Sequence, residues 1–153
     1  MHFTPSTVLS FLVPAALLAG TAAAQTLGDG GRKFTTELTG EAEVNGAGVP
    51  NQGDLDGTGT TSITVNPGQE RICYDTEVAG IAAPARHHIH RGAAGANGPI
   101  VVTFFEADGV AFTGCVDTAR ALAVEIIQFP ERFYVNVHNA DFPAGALRGQ
   151  LAK

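Results

Sequence analysis

Four histidines in the second half of the chain are the residues whose types and spacing could support chemistry. His87, His88 and His90 lie close together just before a glycine-rich segment, and His138 follows near the C-terminal end. Imidazole nitrogens bind copper and zinc, and a pair at positions i and i+2 of one strand, joined by a third from a neighbouring strand, suits either metal. These residues therefore suggest a metal site.

The alternation of apolar residues predicts which face of the strands the histidines occupy. Ile89 is the apolar residue of its strand and should face the core, which puts His88 and His90 on the opposite, outer face. Apolar residues alternate in the same way up to His138, which also points outward. If the two strands are neighbours in the sheet, His88, His90 and His138 converge on one outer surface.

Three nitrogen ligands leave a fourth position on a metal ion, for which water, His87 through a kink in its strand, and Asp141 are candidates. Copper is expected before zinc. The alternative is structural, because histidines beside a glycine-rich loop can hydrogen-bond its carbonyls and hold it. His87 has the parity of Ile89 and is expected at a strand edge in a structural role. Arg148 is a candidate anion-steering residue, with a salt bridge to Asp141 or another carboxylate as the alternative.

The rest of the chain predicts an all-β domain of about eight strands with one short helix. Short runs of β-branched and apolar residues are separated by Gly, Pro, Asn and Asp, without the spacing of βαβ units. The helix is predicted from Asp117 or Thr118, either of which could cap it, to Ile127. We expect a Greek-key β-sandwich or a flattened barrel over residues 34–153, after a flexible leader at 25–33.

The first 24 residues have the pattern of a secretory signal peptide. An apolar run from Val8 to Leu18 is followed by small residues that end at Ala24. The run is short for an uncleaved membrane anchor and contains a proline, so cleavage is favoured and no later segment predicts a membrane span. In an exported chain Cys73 and Cys115 are expected to form one disulfide between neighbouring strands, in preference to two buried free thiols.

The overall composition argues against several classes of function. The 153-residue chain has a net charge of −6 and no cluster of Lys and Arg, which disfavours nucleic-acid binding. No Gly-x-Ser-x-Gly or His-Glu-x-x-His motif is present, so a hydrolase has almost no support. The main hypothesis is a secreted, non-catalytic module that binds an unidentified extracellular protein or surface ligand, or has a structural role. If the protein is an enzyme, copper-dependent redox chemistry is the expected class.

Four segments resemble the CHRD (chordin) domain family. They begin with Phe34 to Val44, the likeness of an opening strand, and continue with His88 to Val102, Tyr134 to His138 and Pro143 to Leu151. The resemblance covers about residues 34–151. It implies an extracellular, β-rich module, found alone in secreted bacterial proteins and repeated in an animal signalling antagonist, and it says more about fold and location than about biochemical activity.

A weaker likeness is to copper-zinc superoxide dismutase. In that family a corresponding His-x-His pair and a late histidine bind copper on the outer face of a Greek-key sandwich, which would assign His88, His90 and His138 as copper ligands. The chain has no counterpart of the bridging histidine or of the zinc loop. The likeness therefore implies a copper-binding domain as the alternative function, without implying dismutase activity.

Overall fold

The computed structural model describes residues 30–106 and 112–153. The predicted signal peptide at 1–24 and residues 25–29 of the predicted leader lie outside the described residues. Two residues assigned to the leader, Arg32 and Lys33, begin the first strand. The elements are β1 (Arg32–Thr39), β2 (Thr58–Asn66), β3 (Arg71–Ala79), β4 (Pro84–Arg91), β5 (Ile100–Glu106), β6 (Thr113–Asp117), α1 (Arg120–Gln128), a 3-10 turn (Pro130–Arg132), β7 (Phe133–Asn139) and β8 (Leu147–Gln150).

All eight strands belong to one sheet in the order β5-β4-β7-β8-β1-β2-β3-β6, and every neighbouring pair is antiparallel. The two edge strands, β5 and β6, contact each other, so the sheet curls into a nearly closed barrel. The predicted all-β fold with about eight strands and one short helix is confirmed. The flattened barrel is the form it takes, since one continuous sheet replaces the two sheets of a sandwich.

The hydrophobic core lies inside the barrel and follows from the period of two in each strand. Leu38, Ile63, Ile89 and Val135 come from four different strands and are each 0% exposed. Burying one such Leu, Ile or Val side chain contributes roughly 1.5–3 kcal/mol. The outward residues of β1, β2 and β3 are mostly exposed and polar, as expected for a barrel wall that faces solvent.

The short helix begins later than the sequence indicated. Asp117 is the last residue of β6, and Ala119, not Thr118, occupies the position directly before the helix, so neither predicted residue is the N-cap. The helix starts at Arg120 after Ala119, without a side-chain cap. Within the residues that the structure describes, no helix has the length and apolar character needed to cross a membrane.

The two cysteines form the predicted disulfide. Cys73 and Cys115 are bonded to each other and are directly paired residues of β3 and β6. This confirms the pairing of neighbouring strands and excludes two free thiols. The bridge ties the short edge strand β6 covalently to the body of the sheet.

His87 lies inside the barrel, and its prediction as a strand-edge residue was wrong. β4 is an interior strand between β5 and β7, so the parity that His87 shares with Ile89 turns its ring into the core. The ring is 0% exposed and packs against Tyr74, Phe104 and Phe105 at centroid distances of 5.5, 4.7 and 5.6 Å. Burial lowers the pKa of His87 to about 3. Neither ring nitrogen has a hydrogen-bond partner among the described residues.

Replacing His87 with phenylalanine should stabilise the fold. The substitution keeps an aromatic ring among aromatic neighbours and removes two buried, unpaired nitrogens, so we expect the free energy of unfolding to rise by about 1–3 kcal/mol. Urea denaturation of the wild type and H87F measures the difference. H87A is the matched control, because it also removes the nitrogens but leaves a cavity and should destabilise. A lower free energy of unfolding for H87F would mean that the nitrogens are bonded in solution.

Candidate metal centre

The strands β4 and β7 are neighbours in the sheet, as the predicted convergence of the histidines requires. Their register places His88 opposite Asn136, two residues before His138. Because Ile89 faces the core, His88, His90 and His138 share the other face. The ring centroids are 5.1 Å apart for His88 and His138, 5.6 Å for His88 and His90, and 5.9 Å for His90 and His138.

The face that carries these rings is covered, whereas the sequence predicted an open outer surface. The exposed fractions are 1% for His88, 9% for His90 and 6% for His138. The cover comes from the β4–β5 loop (92–99) and the β7–β8 loop (140–146), which fold back over the strands and place backbone carbonyls against the rings. Strand periodicity reports the face of a residue but not what lies above that face, which explains the error.

Two of the three rings are held by backbone carbonyl oxygens. His90 Nδ1 lies 3.0 Å from the Gly98 carbonyl oxygen, and His138 Nδ1 lies 3.2 Å from that of Pro143. A carbonyl oxygen can only accept a hydrogen bond, so each Nδ1 must carry the proton. In a neutral imidazole the Nε2 atom is then a bare lone pair. His90 Nε2 is buried and has no hydrogen-bond partner in the described chain.

The third ring, His88, lies between a carboxylate and another histidine. Its Nε2 is 3.2 Å from Glu106 Oε1, and its Nδ1 is 3.2 Å from His138 Nε2. A proton on Nε2 leaves two lone pairs facing each other across the His88–His138 contact. A proton on Nδ1 leaves a lone pair against the Glu106 carboxylate. A neutral His88 therefore cannot satisfy both contacts, and a cation beside Nδ1 would allow Nε2–H to donate to Glu106.

The three rings bring one nitrogen each to a spacing close to that of ligands on one ion. One ring nitrogen from each of His88, His90 and His138 lies within 4.8 Å of the other two. Metal–nitrogen bonds of about 2.0–2.1 Å put two ligand nitrogens about 3.3 Å apart on a tetrahedral ion. The His88–His138 contact of 3.2 Å already has this value. Ligand nitrogens that lie farther apart, up to 4.8 Å, would reach about 3.3 Å after a side-chain movement of at most about 1.5 Å.

Burial lowers the pKa of all three rings. The pKa of His138 falls to about 4, first because burial penalises the charged ring and second because His88 is close. Burial is also the main reason why the pKa values of His88 and His90 are lowered. The Glu106 carboxylate offsets part of the decrease for His88, and the Gly98 carbonyl offsets part of it for His90. The rings are thus neutral at neutral pH, which is the form that coordinates a metal.

Two of the three candidates for a fourth ligand are removed by the geometry. His87 points to the opposite face of β4, into the core. Asp141 is exposed and does not belong to the group of converging ligand atoms. Within residues 30–106 and 112–153, no carboxylate or thiol joins the three histidines in this group. Water is the remaining candidate.

Arg148 lies on the covered face of β8, and its side chain is only 2% exposed. It donates hydrogen bonds of 3.0 and 2.7 Å to the carbonyls of Ala93 and Ala96 in the β4–β5 loop. Its guanidinium carbon lies 3.4 Å from the centroid of the Tyr134 ring. These backbone carbonyls take the place of the salt bridge to Asp141 suggested by the sequence, because the loop covers the strand where Arg148 points.

Glu43, in the β1–β2 loop (40–57), is a buried carboxyl group that no sequence pattern singled out. It is 3% exposed and accepts a hydrogen bond from the Asn136 side-chain amide. Burial raises the pKa of Glu43 to about 7, against the opposing effect of the Arg148 charge. The parity that Asn136 shares with His138 could have placed it on this face. Glu43 lies in a loop, where no periodicity indicates a side-chain direction.

Comparison with known proteins identifies the family of the chain. A family model described as the CHRD domain matches residues 34–151, which include all eight strands except the first two residues of β1. Searches of curated proteins and of solved structures find no match. Because the match covers most of the sequence, the resemblance noted from its motifs is confirmed, and the chain belongs to the CHRD domain family.

Proposed function

We propose that this CHRD domain is an exported module that binds one copper ion through His88, His90 and His138. The observation that carries the proposal is that the two nitrogens of each histidine ring have different surroundings. One nitrogen of each ring lies against an oxygen atom, the other nitrogens of His88 and His138 face each other, and one nitrogen of each ring lies within 4.8 Å of the other two. A purely structural role would need the anchors but not the convergence of bare lone pairs. Anchoring of the second ring nitrogen is also the usual arrangement of histidines that ligate metals.

Copper is favoured over zinc by the type of ligand. All three donors are imidazole nitrogens, which suit both metals, and the group contains no thiolate or carboxylate. For a given nitrogen site, divalent copper binds more tightly than zinc in the Irving–Williams order. A structural zinc site normally has four protein ligands in a closed tetrahedron, and this group supplies three. We therefore expect the copper complex to be the more stable one.

The burial of the site favours holding copper over turning over a substrate. The three rings are at most 9% exposed, and two loops lie above them. A catalytic metal needs an open coordination position that a substrate can reach. A covered ion exchanges when the loops move, which suits storage, protection or delivery of copper outside the cell. The module is thus a binding protein in this proposal.

Export of the domain has two independent supports. The first 24 residues have the sequence pattern of a cleaved signal peptide. The domain also contains a disulfide, and disulfides persist mainly in oxidising compartments. Mass spectrometry of the protein recovered outside the cytoplasm should find Gln25 as its first residue. An intact Met1, or retention in the cytoplasm, would contradict export.

Metal analysis of the mature chain, purified without a histidine tag, tests the copper proposal. We expect one copper per protein after incubation with copper and desalting, and a smaller content of zinc. H88A and H138A should each lower the affinity at least about 100-fold, because two imidazoles rarely retain an ion that three bind well. Competition with a chromophoric copper chelator gives the dissociation constants.

The matched control is H87F, which removes a histidine beside the site but on the opposite face of β4. It should bind copper with the wild-type affinity. Failure of the wild type to retain copper at micromolar free copper would reject the metal proposal. Equal copper binding by the wild type, H88A and H138A would also reject it. In both cases the three histidines would be structural anchors of the two loops.

A further inference from the structure

Arg148 is a buried charge whose hydrogen bonds all go to one loop. Its guanidinium donates to the carbonyls of Ala93 and Ala96 at 3.0 and 2.7 Å and to Asn97 Oδ1 at 3.2 Å. Burying a guanidinium is costly unless its donors are satisfied, and here three acceptors of the β4–β5 loop (92–99) satisfy them. The interaction therefore fixes the position of that loop on the face of β8.

The same loop holds the His90 ring. The Gly98 carbonyl accepts the Nδ1–H of His90 at 3.0 Å, and the Gly98 N–H donates to the Tyr134 hydroxyl at 3.3 Å. One residue of the loop thus contacts both a proposed ligand and its aromatic neighbour. If the loop moved away from the strands, both contacts would be lost together.

Tyr134 connects Arg148 to His90 by a second route. Its ring is stacked on His90 with an interplanar angle of 9° and a centroid distance of 4.9 Å. The Arg148 guanidinium carbon lies 3.4 Å from the centroid of the same Tyr134 ring. A planar cation over the phenol ring is favourable in a buried setting and restricts how the ring can turn. The restricted ring in turn limits the rotation of the His90 imidazole.

We infer that Arg148 is a positioning residue for the copper site, acting through the β4–β5 loop and Tyr134 to hold the His90 ring beside His88 and His138 with its Nε2 unbonded. This inference rests on the proposed function. It differs from the anion-steering role suggested by the sequence, because the guanidinium is covered and both of its terminal nitrogens already donate to the β4–β5 loop. Two requirements follow for the side chain at position 148. It must carry several N–H donors that reach different acceptors, and it must be a planar cation that stacks on Tyr134.

The test compares Arg148→Lys and Arg148→Met with the wild type in copper affinity and in the tautomer of His90. Loss of the residues that hold metal ligands in place typically lowers metal affinity about 10- to 100-fold. We therefore expect a decrease of about 100-fold for R148M and of about 10-fold for R148K. The lysine keeps the charge, but its ammonium group cannot stack flat on Tyr134 or reach several acceptors at once. NMR of the metal-free protein should show one His90 tautomer, protonated at Nδ1, in the wild type. It should show a mixture in R148M.

Arg132→Met is the matched control, because Arg132 also lies over an aromatic ring, that of Phe129, but its side chain is exposed and the three proposed ligand rings of the described chain contact Tyr134 and one another rather than Phe129. It should leave copper affinity and the His90 tautomer unchanged. If R148M does not fold, R148K tests the role of Arg148, and Tyr134→Phe tests the link between the loop and the Tyr134 hydroxyl. Y134F keeps both stacking contacts and loses only the acceptor of the Gly98 N–H, and a several-fold loss of copper affinity is expected.

The outcomes for the inference and for the proposed function are separate. Copper binding by the wild type with unchanged affinity and tautomer in R148M, or in R148K where R148M does not fold, would overturn the positioning role alone. No copper binding by the wild type would overturn the proposed function, while the NMR comparison would still show whether Arg148 fixes the His90 ring. Loss of affinity in R132M equal to that in R148M would also overturn the inference, since the effect would not depend on the loop.

Discussion

G98A should lower copper affinity by at least about 100-fold and should also destabilise the barrel by about 2–3 kcal/mol. A Cβ atom at Gly98 would lie 1.6 Å from the Arg91 carbonyl oxygen and 2.7 Å from the Arg91 carbonyl carbon. Both contacts are with backbone, which no side-chain rotation can relieve. The loop must therefore move away from β4. That movement withdraws the carbonyl that anchors His90 and the N–H that donates to Tyr134.

The control for this substitution is another glycine in a loop. Gly46→Ala places a Cβ where no atom lies within 4 Å, and its backbone φ is not in the left-handed region. G46A should keep the wild-type affinity for copper and change the free energy of unfolding by less than about 0.5 kcal/mol. Chelator competition and urea denaturation measure both quantities. If G98A binds copper like the wild type, the Gly98 carbonyl is not needed to orient His90, and the proposed anchoring is wrong.

The relative placement of the three histidines could be predicted from the sequence because strand geometry alone determines it. Ile89 identified the core face of β4, and alternation then placed His88 and His90 together on the other face. The same rule applied to β7 and His138. The one condition left open was the pairing of β4 with β7, which the register confirms. Local periodicity and a single neighbour relation were thus sufficient for the geometry.

The burial of the site could not be predicted, because it depends on loops. Alternation assigns a side chain to one of two faces and carries no information on whether a loop returns over that face. The two anchoring carbonyls come from Gly98 and Pro143, and a backbone carbonyl has no signature in the amino-acid sequence. Glu43 is distant in sequence from Asn136 and lies in the β1–β2 loop. The roles of Glu43 and Arg148 therefore depended on tertiary contacts.

The error at His87 has a related cause. Its inward parity follows from Ile89, but the prediction placed this position at a strand edge. The strand order places β4 between β5 and β7, so no edge is available to it. The ring is accommodated by aromatic neighbours without hydrogen bonds. Burying a polar group without hydrogen bonds usually costs free energy, so a prediction from sequence does not expect it. The barrel nevertheless contains the His87 ring in this form.

The double variant C73S/C115S should lower the free energy of unfolding by about 4 kcal/mol. The bridge joins residues separated by 42 positions, and in the chain-entropy model closing a loop of that length removes about 4 kcal/mol of conformational freedom from the unfolded chain. β6 is a short edge strand, and among the described strands its hydrogen-bonded neighbour in the sheet is β3 alone. Loss of the bridge should therefore also let β6 separate locally before the rest of the barrel unfolds.

Urea denaturation of the oxidised wild type and of C73S/C115S measures the difference, and hydrogen exchange of the β3–β6 amides reports local opening. The matched control is T35S, a substitution on the outer face of β1 that keeps a hydroxyl beside Ser62 and should change the free energy of unfolding by less than about 0.5 kcal/mol. Copper affinity should change by less than about threefold, because the ligands are on β4 and β7, whose direct pairing does not involve β3 or β6. A loss of stability below about 1 kcal/mol would show that the bridge does not restrict the unfolded chain as its loop length requires.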